Sequence, residues 1–257
     1  MKKSILILIV VVLGTVACND LDEIQQSPVM DNYSISNSLT LSPADRVAVA
    51  TVHNNSLATT MQSMDWSNPD IQSEILAEYS SLYDPSWGIS QAEYDAILTN
   101  SVDIPTDISS LITNQTDFFA IYDHITAVVN SGDDYVDVEQ SLEDLKVDAQ
   151  NNLVNSDLEG ALLMIETSKK SAFYWMPASK GGSGIGYPYL EDYWEDNDLP
   201  GAPDIGKAAA IDGLGATFGF LLIGFLMVPT PATLVGIIAV VGIRAAEASL
   251  MYVISAM

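Results

Sequence analysis

The chain has 257 residues, nearly half of them hydrophobic, and its 34 acidic against 9 basic side chains give a formal charge of −25. That length supports one substantial domain with additions, and so negative a field repels phosphate backbones and anionic headgroups, which excludes nucleic acid as a partner. A single cysteine, Cys18, leaves no disulfide, and two histidines, His53 and His124, leave no zinc-type ligand spacing.

The chain opens with Lys2 and Lys3, then an unbroken apolar run from Ile5 to Leu13, then Gly14, Thr15, Val16, Ala17 and Cys18. A basic start, a short apolar core and small residues before a cut read as a secretory signal, too short for an ordinary membrane span. The cysteine directly after the small residue marks a lipoprotein signal. Residues 1–17 are therefore expected to be removed and Cys18 to be the point of lipid attachment. Residues 18–41 are polar and aperiodic, which predicts a disordered tether.

From Ser42 the pattern is helical. Ser42-Pro43-Ala44-Asp45 sets a capping residue, a first-turn proline and a first-turn acid in order. Val47, Ala50, Leu57, Met61 and Met64 follow at helical steps, with Asn54 placed in the same stripe. Asn68-Pro69-Asp70 starts a second helix with Ile71, Ile75, Leu76 and Tyr79, and Ser90 with Glu93 caps a third carrying Tyr94, Ile97 and Leu98. Pro105-Thr106 predicts the start of a longer helix, with Ile108, Leu111, Phe118, Tyr122, Ile125 and Val129 on one side. Tyr135, Val138, Leu142, Leu145 and Ala149 form the next stripe; Leu158, Leu162 and Ile165 form the last, ending near Trp175. Six amphipathic helices with no alternating strand pattern make residues 42–176 an all-α, acidic helical bundle.

Residues 177–204, dense in Gly, Pro, aromatics and acids, read as a linker or structured loop. Residues 205–257 differ again: between Asp212 and Arg244 there is no charged residue, and Pro229-Thr230-Pro231 divides the run. Prolines at that point stop one helix and start another, so an apolar helical hairpin is predicted. Gly215 and Gly219 share one helix face, as do Ala232 and Gly236, a spacing that lets helices approach closely in a membrane. With Gly224 and Gly242 these glycines are assigned to a membrane hairpin. The apolar run Gly213–Val228 falls short of the ~20 residues a span needs. Membrane insertion or dipping is the leading reading, against a buried core hairpin or an oligomerisation surface.

Candidate chemistry is sparse. His53 and Asn54 form a possible polar site, best read as buried groups bonding a neighbouring helix; His124 reads as a surface residue. Gly181-Gly182-Ser183-Gly184-Ile185-Gly186 follows Lys180 rather than preceding a lysine, so it is no phosphate loop. Asp196-Asn197-Asp198 begins like a calcium loop, but Pro200 and Lys207 stand where ligands are required. No catalytic residue, metal or cofactor is assigned.

His53-Asn54, the run Ser171-Ala172-Phe173-Tyr174-Trp175-Met176-Pro177 before a Gly-rich acidic loop, and Asp212-Gly213 opening a small-residue hairpin together resemble a group of Bacteroidota envelope lipoproteins. The acidic Asp20, Asp22 and Glu23 after the cysteine resemble the surface-export signal of such proteins. The resemblance implies an outer-membrane, lipid-anchored location and points to no particular activity. The expected function is thus non-enzymatic binding or scaffolding at a membrane, with membrane lipid as partner through Cys18 and the hairpin, and with any protein partner unspecified. A membrane-active effector with an insertable hairpin is the alternative.

Overall fold

The computed structural model describes residues 40–65, 68, 70–99, 108–131, 133–188, 204–226 and 233–255. Among them the chain is all-helical: α1 (Pro43–Ser63), α2 (Ile71–Ser80), α3 (Gln91–Thr99), α4 (Gln115–Val129), α5 (Tyr135–Asn152), α6 (Asn155–Trp175), α7 (Ile205–Leu226) and α8 (Leu234–Ser255), with short 3-10 turns at Pro85–Trp87 and Ala178–Lys180. The signal, Cys18 and most of the tether lie outside these residues, as does the Asp196-Asn197-Asp198 segment.

Two starts follow the caps read in the sequence. Ser42 Oγ accepts from the Asp45 amide while the Asp45 carboxylate accepts from the Ser42 amide, a reciprocal box that satisfies two otherwise orphaned donors. Ser90 and Glu93 do the same ahead of α3. The start at Pro105-Thr106 lies outside the described residues, but the stripe that follows does not run on as one helix: the chain leaves helix after Ser109, and the next helix, α4, begins at Gln115. Asn114 caps it by accepting from the Asp117 amide, and the buried Asp157 carboxylate accepts from the amides of Thr113 and Asn114. With these donors taken by side chains, the helix has a defined beginning that hydrophobic spacing alone does not reveal.

α6 and α7 lie side by side at the centre. α7 also packs on α8 and α4; α6 also packs on α1, α5 and α4; α8 also lies along α1, with α2, α3 and the Pro85–Trp87 turn over its flank. A helix apolar on every side has no face to offer water and must be covered all round. α7 meets that condition: Ala208, Ala209, Ala210, Ile211, Leu214, Phe218, Leu221 and Ile223 are all buried. The hairpin helices and the amphipathic helices share one continuous hydrophobic core. The hairpin is therefore seated inside the bundle in this structure, not appended to it beyond a linker.

The segment after α6 folds back on the helix it leaves. Gly184 N–H bonds Met176 O, Gly186 N–H bonds Tyr174 O and Ser183 N–H bonds Phe173 O, so the glycines close the end of α6. Gly181 and Gly184 hold φ of 78° and 67°, which glycine adopts without steric cost.

A consequence can be measured. Ending the chain after residue 203 strips α7 from α6 and exposes Gly160, Met164 and Ser168, so the fragment should lose cooperative thermal unfolding by circular dichroism. A fragment that melts as one sharp transition would show that residues 42–176 are self-sufficient.

Candidate functional site

The inward face of α1 is formed by Val49, Ala50, His53, Leu57, Thr60 and Met61. The stripe is thus turned slightly from the sequence reading: His53 faces the core, Val47 is exposed, and Asn54 is half-buried beside them. His53 and Asn54 are nevertheless brought to a polar node.

Three helices meet there. The Asn54 amide nitrogen donates to Lys170 O on α6 at 3.0 Å, which turns its carbonyl oxygen toward His53 Nδ1 at 2.7 Å. That oxygen can only accept, so Nδ1 carries the hydrogen. The other ring nitrogen, Nε2, lies 3.0 Å from Asp212 Oδ2 on α7, and both side chains are fully buried. With Nδ1 already donating, this second contact is favourable when a hydrogen also lies between Nε2 and the carboxyl oxygen. Ser171 on α6 donates to the same Oδ2 in a short bond. The node thereby ties α1, α6 and α7 together through one carboxyl group.

The surroundings are aromatic and dry. Burial, with the Asp212 carboxylate adding to it, pushes the Tyr79 phenol well above its usual range. Tyr94 donates to Tyr79 O at 2.6 Å, and burial raises its phenol as well. Tyr174 Oη contacts Met61 Sδ at 3.6 Å.

Ser, His and Asp are together, but not in the order of a nucleophile, base and orienting acid. The hydroxyl gives its proton to the carboxyl group instead of to the imidazole, and none of the three reaches solvent. The arrangement clamps helices. His124 stands on the exposed side of α4, and among the described residues no group of three or more His, Cys, Asp or Glu side chains could hold a metal ion.

The hairpin glycines divide by what they face. A side-chain carbon on Gly215 would stand 2.7 Å from Ala248 Cβ, and one on Gly219 would stand 3.3 Å from Arg244 Cβ, so these two form the close approach of α7 to α8. Gly236 instead abuts the backbone of Trp87, and Gly242 lies against Val49 O and Val52 of α1. The pairing of Gly236 with the other hairpin arm is thus corrected: it makes room for the surrounding shell. Gly224 belongs to α7, and its surroundings fall outside the described side chains.

Two further charge sets lie between or within the helices. Arg244 pairs with Glu247 one turn on within α8, and its guanidinium lies 5.8 Å from the Phe218 ring; their spacing signalled the pair, but not its complete burial. Between α5 and α6, Lys146 contacts Glu143 and Glu166, and Lys169 contacts the same two acids. Burial opposes the Glu143 carboxylate, yet hydrogen bonds from Lys169 and Lys146 outweigh it and hold the carboxyl below its ordinary range. Burial likewise opposes the Lys169 ammonium, but Glu143 and Glu166 raise its pKa above the usual lysine value.

Comparison with protein-family models, curated proteins and solved structures finds no match for this chain. The internal geometry therefore carries the functional reading.

Two outcomes follow. Asp212→Leu alone leaves His53 facing an apolar wall and should cost about 3–5 kcal/mol, whereas His53→Leu with Asp212→Leu should cost clearly less than the two single changes added. Denaturant melts of the four proteins measure this; strict additivity would show the contact to be energetically idle. Second, Lys169→Met should cost about 1 kcal/mol at neutral pH. The depressed Glu143 contributes stability above the ordinary carboxylate pKa of about 4.3 and loses it as pH falls through its folded value; the raised Lys169 contributes below about 10.4 and loses it as pH rises through its folded value. The gap between mutant and parent should accordingly be widest from about pH 5 to 10 and narrow below about pH 4 in thermal melts.

Proposed function

We propose that this chain is a non-enzymatic lipoprotein of the cell envelope, held at the outer membrane of a Gram-negative bacterium through Cys18, with its acidic helical bundle binding or scaffolding there. The single observation that carries the reading is the chain start, in which two lysines, an apolar run and small residues lead to the lone cysteine. Diacylglycerol on the Cys18 thiol and acylation of its amine supply two or more chains, enough for stable anchoring where one is marginal. A polybasic contribution is unavailable to so acidic a protein.

The bundle is consistent with a binding or scaffolding role. Among the described residues, the cluster of Ser171, His53 and Asp212 is buried and clamps helices. The second reading, a membrane-active effector, is favoured by a separate observation: residues 205–223 and 234–251 are each long and apolar enough to cross a membrane by composition, a test that the core helices of a soluble protein also meet.

Metabolic labelling with palmitate tests the anchor. The parent chain should incorporate label and fractionate with outer membranes, and Cys18→Ser should lose both. Undiminished labelling of Cys18→Ser would remove the lipoprotein reading while leaving the fold untouched.

A further inference from the structure

Apolar length alone does not separate a core helix from a membrane helix, but the placement of the polar groups on α7 and α8 does bear on the difference. Part of what is polar within the pair is satisfied within the pair. Arg244 and Glu247 neutralise each other one turn apart on α8. Thr217 Oγ donates to Gly160 O of α6 at 2.8 Å, with the Gly213 carbonyl of its own helix at 3.1 Å, so it is also a tie to the bundle. The close approach of Gly215 and Gly219 to Ala245, Ala248 and Arg244 is also internal to the pair.

Among the described residues, besides the mid-helix bond of Thr217 to α6, ties from the pair to the other helices lie toward the two helix starts. Near the beginning of α7, Gly206 N–H bonds Asn130 Oδ1 and Asp212 meets His53 and Ser171. Just before α8, Thr233 N–H reaches Trp87 O. Asp212 is a buried charged side chain of the hairpin with partners on the surrounding helices. It lies only seven residues after Ile205, where it could remain near a headgroup layer while the rest of the helix entered hydrocarbon.

We propose that α7 and α8 form a self-contained unit able to leave the bundle and enter a phospholipid bilayer, and that the Asp212–His53–Ser171 contact is the clasp that keeps it seated in water. Leaving the bundle removes apolar surface from one dry environment and returns it to another, while the internal Arg244–Glu247 pair spares the bilayer an isolated charge. The vacated site holds the polar His53, Asn54 and Ser171 but also bares apolar α6 surface such as Met164, so release leaves the remaining helices loosened. The clasp sets the balance: weakening it raises the released population without altering the apolar surface that inserts. The proposal is independent of the acyl anchor and extends the effector reading, so it is tested without Cys18 lipidation.

The experiment uses residues 18–257 carrying Cys18→Ser, mixed with phosphatidylethanolamine–phosphatidylglycerol vesicles that contain a phospholipid with a photoactivatable acyl chain. Lipid adducts are mapped by mass spectrometry, with exposed positions of α5 as the background. In the unclasped comparison, Asp212→Asn and the milder Ser171→Ala are tested beside the parent, each checked for helical content and cooperative melting before vesicles are added. Adducts should concentrate in residues 205–223 and 234–251, and Ser171→Ala should raise their yield roughly tenfold, the order of shift that loss of one buried hydrogen bond gives a two-state equilibrium. Asp212→Asn should raise it further if it folds; Ser171→Ala decides the matter if it does not. Adducts no more frequent in the two hairpin helices than in α5, in the parent and in every folded variant, would overturn the proposal, as would hairpin adducts whose yield ignores the clasp. Neither result would touch the palmitate labelling of Cys18, which fails or succeeds on its own.

Discussion

The constraint on which this fold depends is that α7 has no polar face. A helix with water on one side can be stabilised by a stripe of contacts, but one that is apolar around its whole circumference must be enclosed. α6, α8 and α4 pack directly on α7. α1 and α5 then cover what α6 leaves open, and α1 also lies along α8. This ordering explains why the amphipathic helices, adequate in pattern, are arranged around a segment that comes after them in the chain. Their inward stripes are fitted to a guest that is synthesised last.

Enclosure makes each buried polar group consequential. Asp212, Arg244, Glu247, Glu166 and Lys169 are all buried, and a desolvated charge is tolerated only with a close partner. Two kinds of solution occur. Glu166 and Lys169 are joined by Glu143 and Lys146 from the half-exposed α5 side, so part of that network still meets water. Arg244 with Glu247, and Asp212 with His53, have no such relief and lie in the dry centre. Apolar residues of similar volume at these positions could give equal or greater stability. Their charges instead fix how α7 and α8 are seated, because a slip of one helix turn at Asp212 would separate it from both His53 and Ser171.

The helices were legible where local chemistry governs them. The Ser42–Asp45 and Ser90–Glu93 boxes, and the Tyr135–Val138–Leu142–Leu145–Ala149 stripe, are statements about neighbours in sequence, and the structure contains each one. Where distant residues decide, the sequence is silent. The start of α4 at Gln115 depends on Asp157, which lies more than forty positions away. α6 reads as ordinary amphipathic helix because Glu166 and Lys169 look like a solvated face; only the lysine and glutamate brought by α5 make them buried. His53 and Asn54 could be marked as polar groups near a core, but Asp212, which His53 meets, and Lys170, whose carbonyl Asn54 bonds, belong to segments far away in the chain. Glycine spacing was similarly half-informative: Gly215 and Gly219 face the other arm of the hairpin, whereas Gly236 and Gly242 face the shell, and the two uses are identical in sequence.

The same internal pairing shapes the outer surface. Arg46 is taken by Glu159, Lys146 and Lys169 by the α5–α6 acids, and Arg244 by Glu247, so much of the small basic complement is spent between helices and little remains to offset the carboxylates outside. Such a surface is repelled by anionic headgroups within roughly a Debye length, about 8 Å at physiological salt. Electrostatics would therefore hold the folded bundle off an anionic membrane if Cys18 were lipidated as proposed. Closer contact would have to be made by apolar surface, and among the described residues much of it is enclosed in α7 and α8. In that proposed state attachment and apolar surface would be under separate control: the one covalent, the other dependent on contacts such as those of Asp212 with His53 and Ser171.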